Sequence, residues 1–280
     1  MNLPVIFKHA LIISGITALL ALFILFPFLP GNYDPLAMPV SVLVQIFGTS
    51  GLLLSVTGLL WLLKPARART FGLVSLYLCT LIAAVLSLIS YFIAGMTLGI
   101  LIALSWAVVF AFLKREIKRS PPGNLNRYGF LPVYLIFIPI SILIIPLTCA
   151  GPITNWTRNK AIINAADFID AIEKYHIRNG HYPATLQAMY IDYYPDIAGI
   201  EKYHYLPEGG SYNLSFEQPR FLFDVAGTRE WVVYNPKDKH KAFSHTSWFL
   251  ILSSGELERS QGWYDSGNTA YTHWKYFLFD

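Results

Sequence analysis

Five stretches of the chain are almost free of charged side chains: residues 5–28, 39–63, 71–94, 97–113 and 130–149. Each is near the roughly 20 residues that carry a helix across about 30 Å of hydrocarbon. The pattern therefore predicts five membrane-spanning helices. The third and fourth runs are parted only by Gly95-Met96. One helix across both would overshoot the bilayer about twofold, so a tight hairpin is expected there. The first run is longer than the 7–15 residue core of a signal peptide, and no small-residue cleavage site follows, which predicts an uncleaved helix. Pro132, Pro139 and Pro146 are expected to disrupt the fifth helix, and Gly151-Pro152 to end it.

The period of apolar positions changes after residue 150. Ala161, Ala165, Phe168, Ile172 and Tyr175 recur at three- and four-residue steps, widened by Ile162 and Ile169. This places them on one face of a helix over 157–179. Asp170 and Lys174 are spaced to pair on its polar side, and Asn179-Gly180 supplies a stop. A short helix is expected over 184–190. Beyond Gly210, Tyr212, Leu214 and Phe216 alternate with polar residues as in a half-buried strand. Further strands are expected at 220–225, 230–234, 247–252 and 274–279, separated by turn signals such as Asn235-Pro236 and Ser254-Gly255. Sequential strands with short turns favour an antiparallel meander. The fold class is thus an all-α membrane domain, 1–149, followed by an α+β domain, 150–280, with one long helix packed on a sheet.

The stretch Ala171-Ile172-Glu173-Lys174-Tyr175-His176-Ile177-Arg178-Asn179-Gly180-His181-Tyr182-Pro183 resembles the major pseudopilins of type II secretion and related type IV pilins. There, a helix ends in a tyrosine-rich turn before a Tyr-Pro element, a short helix and a sheet. Arg127-Tyr128-Gly129-Phe130 is similar to a prepilin junction. The sequence departs from the family where prepilins carry a glutamate five residues after cleavage, because Tyr134 stands here, and four apolar runs precede the junction. The resemblance implies a pilin-like fold for the C-terminal domain and a partner in the envelope or secretion apparatus, without polymerisation.

Composition and charge sharpen this picture. Hydrophobic residues make up 54% and charged residues 14%, against about 25% charged in soluble domains. Residues 1–149 carry nine Lys/Arg and two Asp/Glu; residues 150–280 carry twelve and fifteen. With five alternating spans and the N-terminus inside, Lys8, Lys64, Arg67, Arg69, Lys114, Arg115, Lys118, Arg119 and Arg127 all fall on the cytoplasmic side. The opposite loops then hold only Asp34. A bacterial inner membrane protein with a periplasmic C-terminal domain is expected. No basic folded face points to nucleic acid.

Candidate chemistry is sparse. The spans hold no Asp, Glu, Lys or Arg away from their ends, where such groups would mark transport or proton relay. Gln45 is read as a helix-to-helix hydrogen bond, and the pairs Gly51/Ser55 and Gly95/Gly99 as close-packing positions. The domain's six histidines lack metal-ligand spacing. Asp265-Ser266-Gly267-Asn268 has too few carboxylates for a calcium loop and reads as a turn. Glu256 and Glu258 read as a solvated strand face. No catalytic, cofactor or metal site is expected. The aromatic excess supplies the one candidate set, Trp231, Trp248, Trp263 and Trp274, as partner-binding residues, since Trp carries much interface energy. The leading expectation is a non-enzymatic envelope protein displaying a partner-binding domain in contact with membrane lipid. The alternatives are an envelope enzyme, or a small-solute or lipid transporter with an appended sensor domain.

Overall fold

The computed structural model describes residues 3–63, 67–93, 96–119, 130–186, 193–208, 210–222, 224, 228–243, 251–253 and 264–279. They form two compact units: residues 1–24 with 39–147, and residues 25–38 with 148–280.

The first unit is helical. Helix α1 covers Leu3–Leu25, α2 Ala37–Ser50, α3 Leu52–Leu63, α4 Ala68–Ile93 and α5 Met96–Arg119, and α6 begins at Leu131. Four helices are long and apolar enough to cross a membrane among the described residues: Pro4–Phe28, Ala37–Leu63, Arg69–Phe92 and Leu131–Asn179. Five were expected. α5 is not among the four; its apolar run stops at Leu113 and five of its last six residues are charged. Large apolar side chains such as Leu11, Leu22, Leu81, Leu88 and Val108 lie exposed, the pattern of helices whose outer faces meet an apolar medium.

Close approach and neutral hydrogen bonds join these helices. Gly48, Gly51, Ser55 and Gly58 form a stripe against α6. A Cβ at Gly58 would lie 2.7 Å from the Pro132 carbonyl oxygen, and one at Gly51 3.3 Å from Pro139 Cβ. Ser55 donates to the Ile136 carbonyl at 3.4 Å. α4 and α5 run antiparallel, with Ser87 donating to the Gly99 carbonyl at 2.7 Å and Trp106 Nε1 to Thr80 at 3.1 Å; the expected turn residue Gly95 lies outside the described residues. Thr57 hydrogen-bonds Ser75. Gln45 donates to Ser41 Oγ at 3.1 Å within its own helix, and Ser41 carries the connection across to the Ile24 carbonyl at 2.6 Å.

α6 differs from expectation. It runs as one helix over Leu131–Asn164 through Pro132, Pro139, Pro146 and Pro152. Each interior proline removes one helical hydrogen bond. The helix continues through all four.

In the second unit, α7 covers Ala166–Asn179 and ends at Gly180, whose φ of 75° and N–H bond to the His176 carbonyl at 2.8 Å form the cap. Ala161, Ala165, Phe168 and Ile172 are all buried in one core with Tyr212, Leu214, Phe216, Val232 and Trp274. The helix phase read from the sequence therefore faces the sheet. Asp170 and Lys174 pair at 2.5 Å on the exposed side. Of the expected short helix, residues 187–190 lie outside the described positions.

The sheet is antiparallel, in the order β1 (His204–Glu208), β2 (Ser211–Gln218), β3 (Arg229–Tyr234), β7 (Trp274–Phe279), β6 (Tyr264–Asn268). Strands β4 (Lys241–Phe243) and β5 (Ile251–Ser253) form a separate hairpin. The first three strands are a meander; the last hairpin joins with β7 innermost. Two expectations are corrected. The described residues of 220–225 are not a strand, and Asp224 N–H turns back to the Phe221 carbonyl at 3.1 Å. Asp265-Ser266-Gly267-Asn268 is not a turn but edge strand β6, registered against β7 from Leu278 to Lys275. The alternation of β2 and β3 also breaks down: Tyr212, Asn213 and Leu214 are consecutively buried, as are Trp231, Val232 and Val233. Both faces of the central strands are covered.

Residues 25–38 belong to this unit through main-chain pairing. Gly31 N–H donates to Asp196 at 3.0 Å, Asp34 N–H to Ala198 at 2.9 Å, Ala198 N–H to Leu29 at 2.9 Å and Gly199 N–H to Pro27 at 2.9 Å. Phe28 stacks on Phe221 with centroids 4.3 Å apart. Gly199 is required here, because a Cβ would lie 2.5 Å from the Pro27 oxygen.

Candidate functional site

Central strands position two of the four candidate tryptophans. Trp231 on β3 and Trp274 on β7 are each only 5% exposed. Trp274 packs on Tyr234 and Phe216 in the helix-facing core, and Trp231 meets the His204 ring edge-on at 5.1 Å. Their rings are packed inside the domain. Trp248 and Trp263 lie outside the described residues, as do Glu256 and Glu258.

The fold instead gathers charge where the sequence showed no motif. Glu230 on β3 is fully buried and accepts from Arg158 Nε at 2.6 Å and from Arg220. Arg220 also pairs with Asp224 at 2.9 Å. Arg158 on α6 continues to Asn155 at 2.9 Å and lies 4.2 Å over the Tyr276 ring. Two guanidinium groups and two carboxylates balance, which is what permits their burial. The network ties α6 to the sheet.

A second polar cluster explains the Tyr-Pro element. Tyr212 and Tyr182 donate to the two carboxylate oxygens of Glu173 at 3.1 and 3.5 Å. The Pro183 carbonyl accepts from Tyr205 at 2.9 Å, and the His176 ring stacks on Tyr182 at 4.1 Å. Burial, reinforced by Glu173, pushes the Tyr182 phenol above its ordinary value; burial does the same to Tyr212, with Tyr234 and Glu173 adding. These phenols stay protonated and act as donors that fix α7 to β2 and to the chain beyond Gly180.

The turn from β3 to β4 forms a third. Asn235, fully buried, accepts from Lys237 N–H at 2.9 Å and donates to the Tyr212 carbonyl at 3.1 Å. His240 Nε2 lies 2.9 Å from the His273 carbonyl, and His273 Nδ1 lies 3.1 Å from Asp238 Oδ1. Asp238 and His273 both adopt left-handed backbone conformations, with φ of 57° and 65°. Burial holds the His240 imidazole below the usual histidine value.

The helical unit contains a cavity of about 690 Å³ lined by α1, α2, α3, α5 and α6. Its body is apolar, from residues such as Ile16, Val44 and Ile138, and its polar side chains are His9, Tyr134 and Glu116. His9 Nδ1 lies 2.9 Å from the Tyr134 hydroxyl, and the His9 ring stacks on Phe130 at 3.9 Å. The cavity has no sequence signature, because its lining comes from positions more than 100 residues apart. No family model matches the chain, and no curated protein or solved structure matches it either.

Proposed function

We propose that the chain is a five-span inner membrane protein, with its N-terminus in the cytoplasm, that displays a pilin-like α+β domain in the periplasm to bind an envelope or secretion-apparatus protein. One observation carries the topology. Residues 27–34 are hydrogen-bonded to residues 196–199, so both segments lie on one side of the membrane. The chain between them must then cross an even number of times. Ala37–Leu63, α4 and α6 are three crossings, and α5 supplies the fourth. Its apolar run of 17 residues before Lys114 is at the short end of what spans. The basic residues at the α5 end and near residue 8 then share the cytoplasmic side.

The α6–α7 helix over an antiparallel meander, locked by Tyr182 and Glu173 at the helix end, supports the pilin-like reading of the domain. The buried Arg158, Arg220 and Glu230 and the Tyr212–Glu173 pair tie helix to sheet, a structural use that fits a display role. Alkaline phosphatase fused to the C-terminus should be active, and fused after Arg119 inactive. The reverse pattern, or equal activity at both sites, would sink the topology.

A further inference from the structure

We propose that the cavity of the helical unit binds one acyl chain of an anionic phospholipid, with the lipid phosphate at the His9–Tyr134 end. This goes beyond the display role and does not require it. The shape fits a lipid tail. On α1 the lining runs from His9 to Leu20, about 17 Å of helix. That is close to one leaflet of a hydrocarbon core about 30 Å thick. On α6 it runs from Phe130 to Ile142, about 18 Å. Both stretches start at the polar side chains and continue as apolar surface, the polarity of an amphiphile. In a bilayer, the medium beside such a cavity is acyl chain rather than water.

The head chemistry follows from proton counting. His9 and Tyr134 share one hydrogen bond at 2.9 Å. If the phenol donates, the imidazole keeps its Nε2–H; if the imidazole donates through Nδ1–H, the phenol keeps its O–H. Either way the pair retains one donor, and neither side chain has another hydrogen-bond partner among the described residues. A phosphate oxygen is the acceptor that complements it. Among the described residues, Glu116 is the one charged side chain in the lining, and basic residues stand beside this end in the sequence. Lys8 adjoins His9, and Lys114, Arg115, Lys118 and Arg119 flank Glu116 in the last turns of α5. The Glu116 carboxylate is itself tied to Arg119 at 3.6 Å. Under the proposed orientation these bases meet the cytoplasmic leaflet, where anionic lipids reside.

The test uses the full chain, purified in mild detergent, delipidated and titrated with dioleoylphosphatidylglycerol or dioleoylphosphatidylcholine while lipid adducts are counted by native mass spectrometry. One phosphatidylglycerol should bind at least tenfold more tightly than phosphatidylcholine. His9→Ala with Tyr134→Phe should erase that preference while tail binding persists. Ile138→Trp, which fills the cavity, should abolish the single adduct for both lipids. Monodispersity on size exclusion identifies variants that fold. Equal binding of both lipids by the unaltered chain overturns the head assignment. Many adducts of graded affinity, insensitive to Ile138→Trp, overturn the site. Neither result bears on the fusion experiment, so failure of the topology and failure of the lipid site remain distinguishable.

Discussion

Replacing Glu230 by Gln tests the buried network most directly. Glu230 is fully buried, with Arg158 and Arg220 on its two oxygens. The amide keeps the shape and one acceptor but leaves two guanidinium groups facing a neutral side chain. Arg220 retains Asp224; among the described residues Arg158 retains Asn155 and the Tyr276 ring as polar company. Removing one member of a buried ion pair costs about 3–5 kcal/mol, and the retained hydrogen-bonding capacity places this case near 3 kcal/mol. The comparison is Glu217→Gln. The Glu217–Arg229 pair has similar geometry, at 2.7 and 2.5 Å, but Glu217 is 43% exposed, so its loss should cost under about 1 kcal/mol.

Amide hydrogen exchange at Val232 and Val233, in the full chain in detergent, reads the effect locally. About 3 kcal/mol is roughly a 100-fold change in an equilibrium, so these core amides should exchange about 100-fold faster in E230Q wherever global opening limits them. E217Q should change them less than about fivefold. Glu230→Leu combined with Arg158→Met removes the uncompensated charge at that corner and should be milder than E230Q alone. Equal protection in E230Q and E217Q would refute the reasoning: it would mean that water reaches Glu230.

Gly199→Ala places a methyl 2.5 Å from the Pro27 carbonyl oxygen and should speed exchange at residues 29–34 at least tenfold while leaving Val232 unchanged; uniform protection would count against the pairing. Gly58→Ala meets the Pro132 oxygen at 2.7 Å and should cost about 1–3 kcal/mol in thermal unfolding of the solubilised chain, whereas Gly15→Ala, with nothing within 4 Å, should be neutral. The His204 and His240 imidazoles are held below the ordinary value, chiefly by burial. The unfolded chain then takes up protons first, so stability is complete above about pH 6.5 and falls as the pH drops through the lower folded values. The melting temperature should fall between pH 7.5 and 5 and fall less in His204→Gln/His240→Gln; a flat profile in the parent chain would contradict the burial.

Much of the fold was legible because two of its signals are dictated by the medium and the period. A run of some 20 apolar residues has few fates besides a membrane helix, and the Ala161–Ala165–Phe168–Ile172 stripe has one face to bury. What failed was local chemistry overruled by context. The run Asp265-Ser266-Gly267-Asn268 reads as a turn, yet β6 is an edge of the sheet, where a flexible residue is tolerated. Gly267 has a further use, since the Tyr276 hydroxyl and ring edge occupy the space a side chain would take. Residues 220–225 read as a strand by composition, but Arg220 is drawn to Glu230 and the chain turns at Phe221 to bring it there.

Candidate sites were less legible because each depends on partners far apart in the chain. The aromatic excess pointed outward from composition, whereas Trp231 and Trp274 sit on central strands with both faces covered. Glu173 and Tyr182 stand in the segment that resembles pilins; the structure gives them a physical task, a carboxylate held by two phenols, Tyr182 and Tyr212, at the helix end. Tyr134 shows the limit best. In the sequence it is a departure, a phenol where the resembled family carries a glutamate. In the fold its hydroxyl meets His9, 125 positions away, at the polar end of an apolar cavity. A carboxylate there would add a charge facing the cavity. A phenol hydrogen-bonded to an imidazole adds no carboxylate and leaves one proton to donate. Tyr134 is thus the residue that would offer its donor to the proposed lipid head.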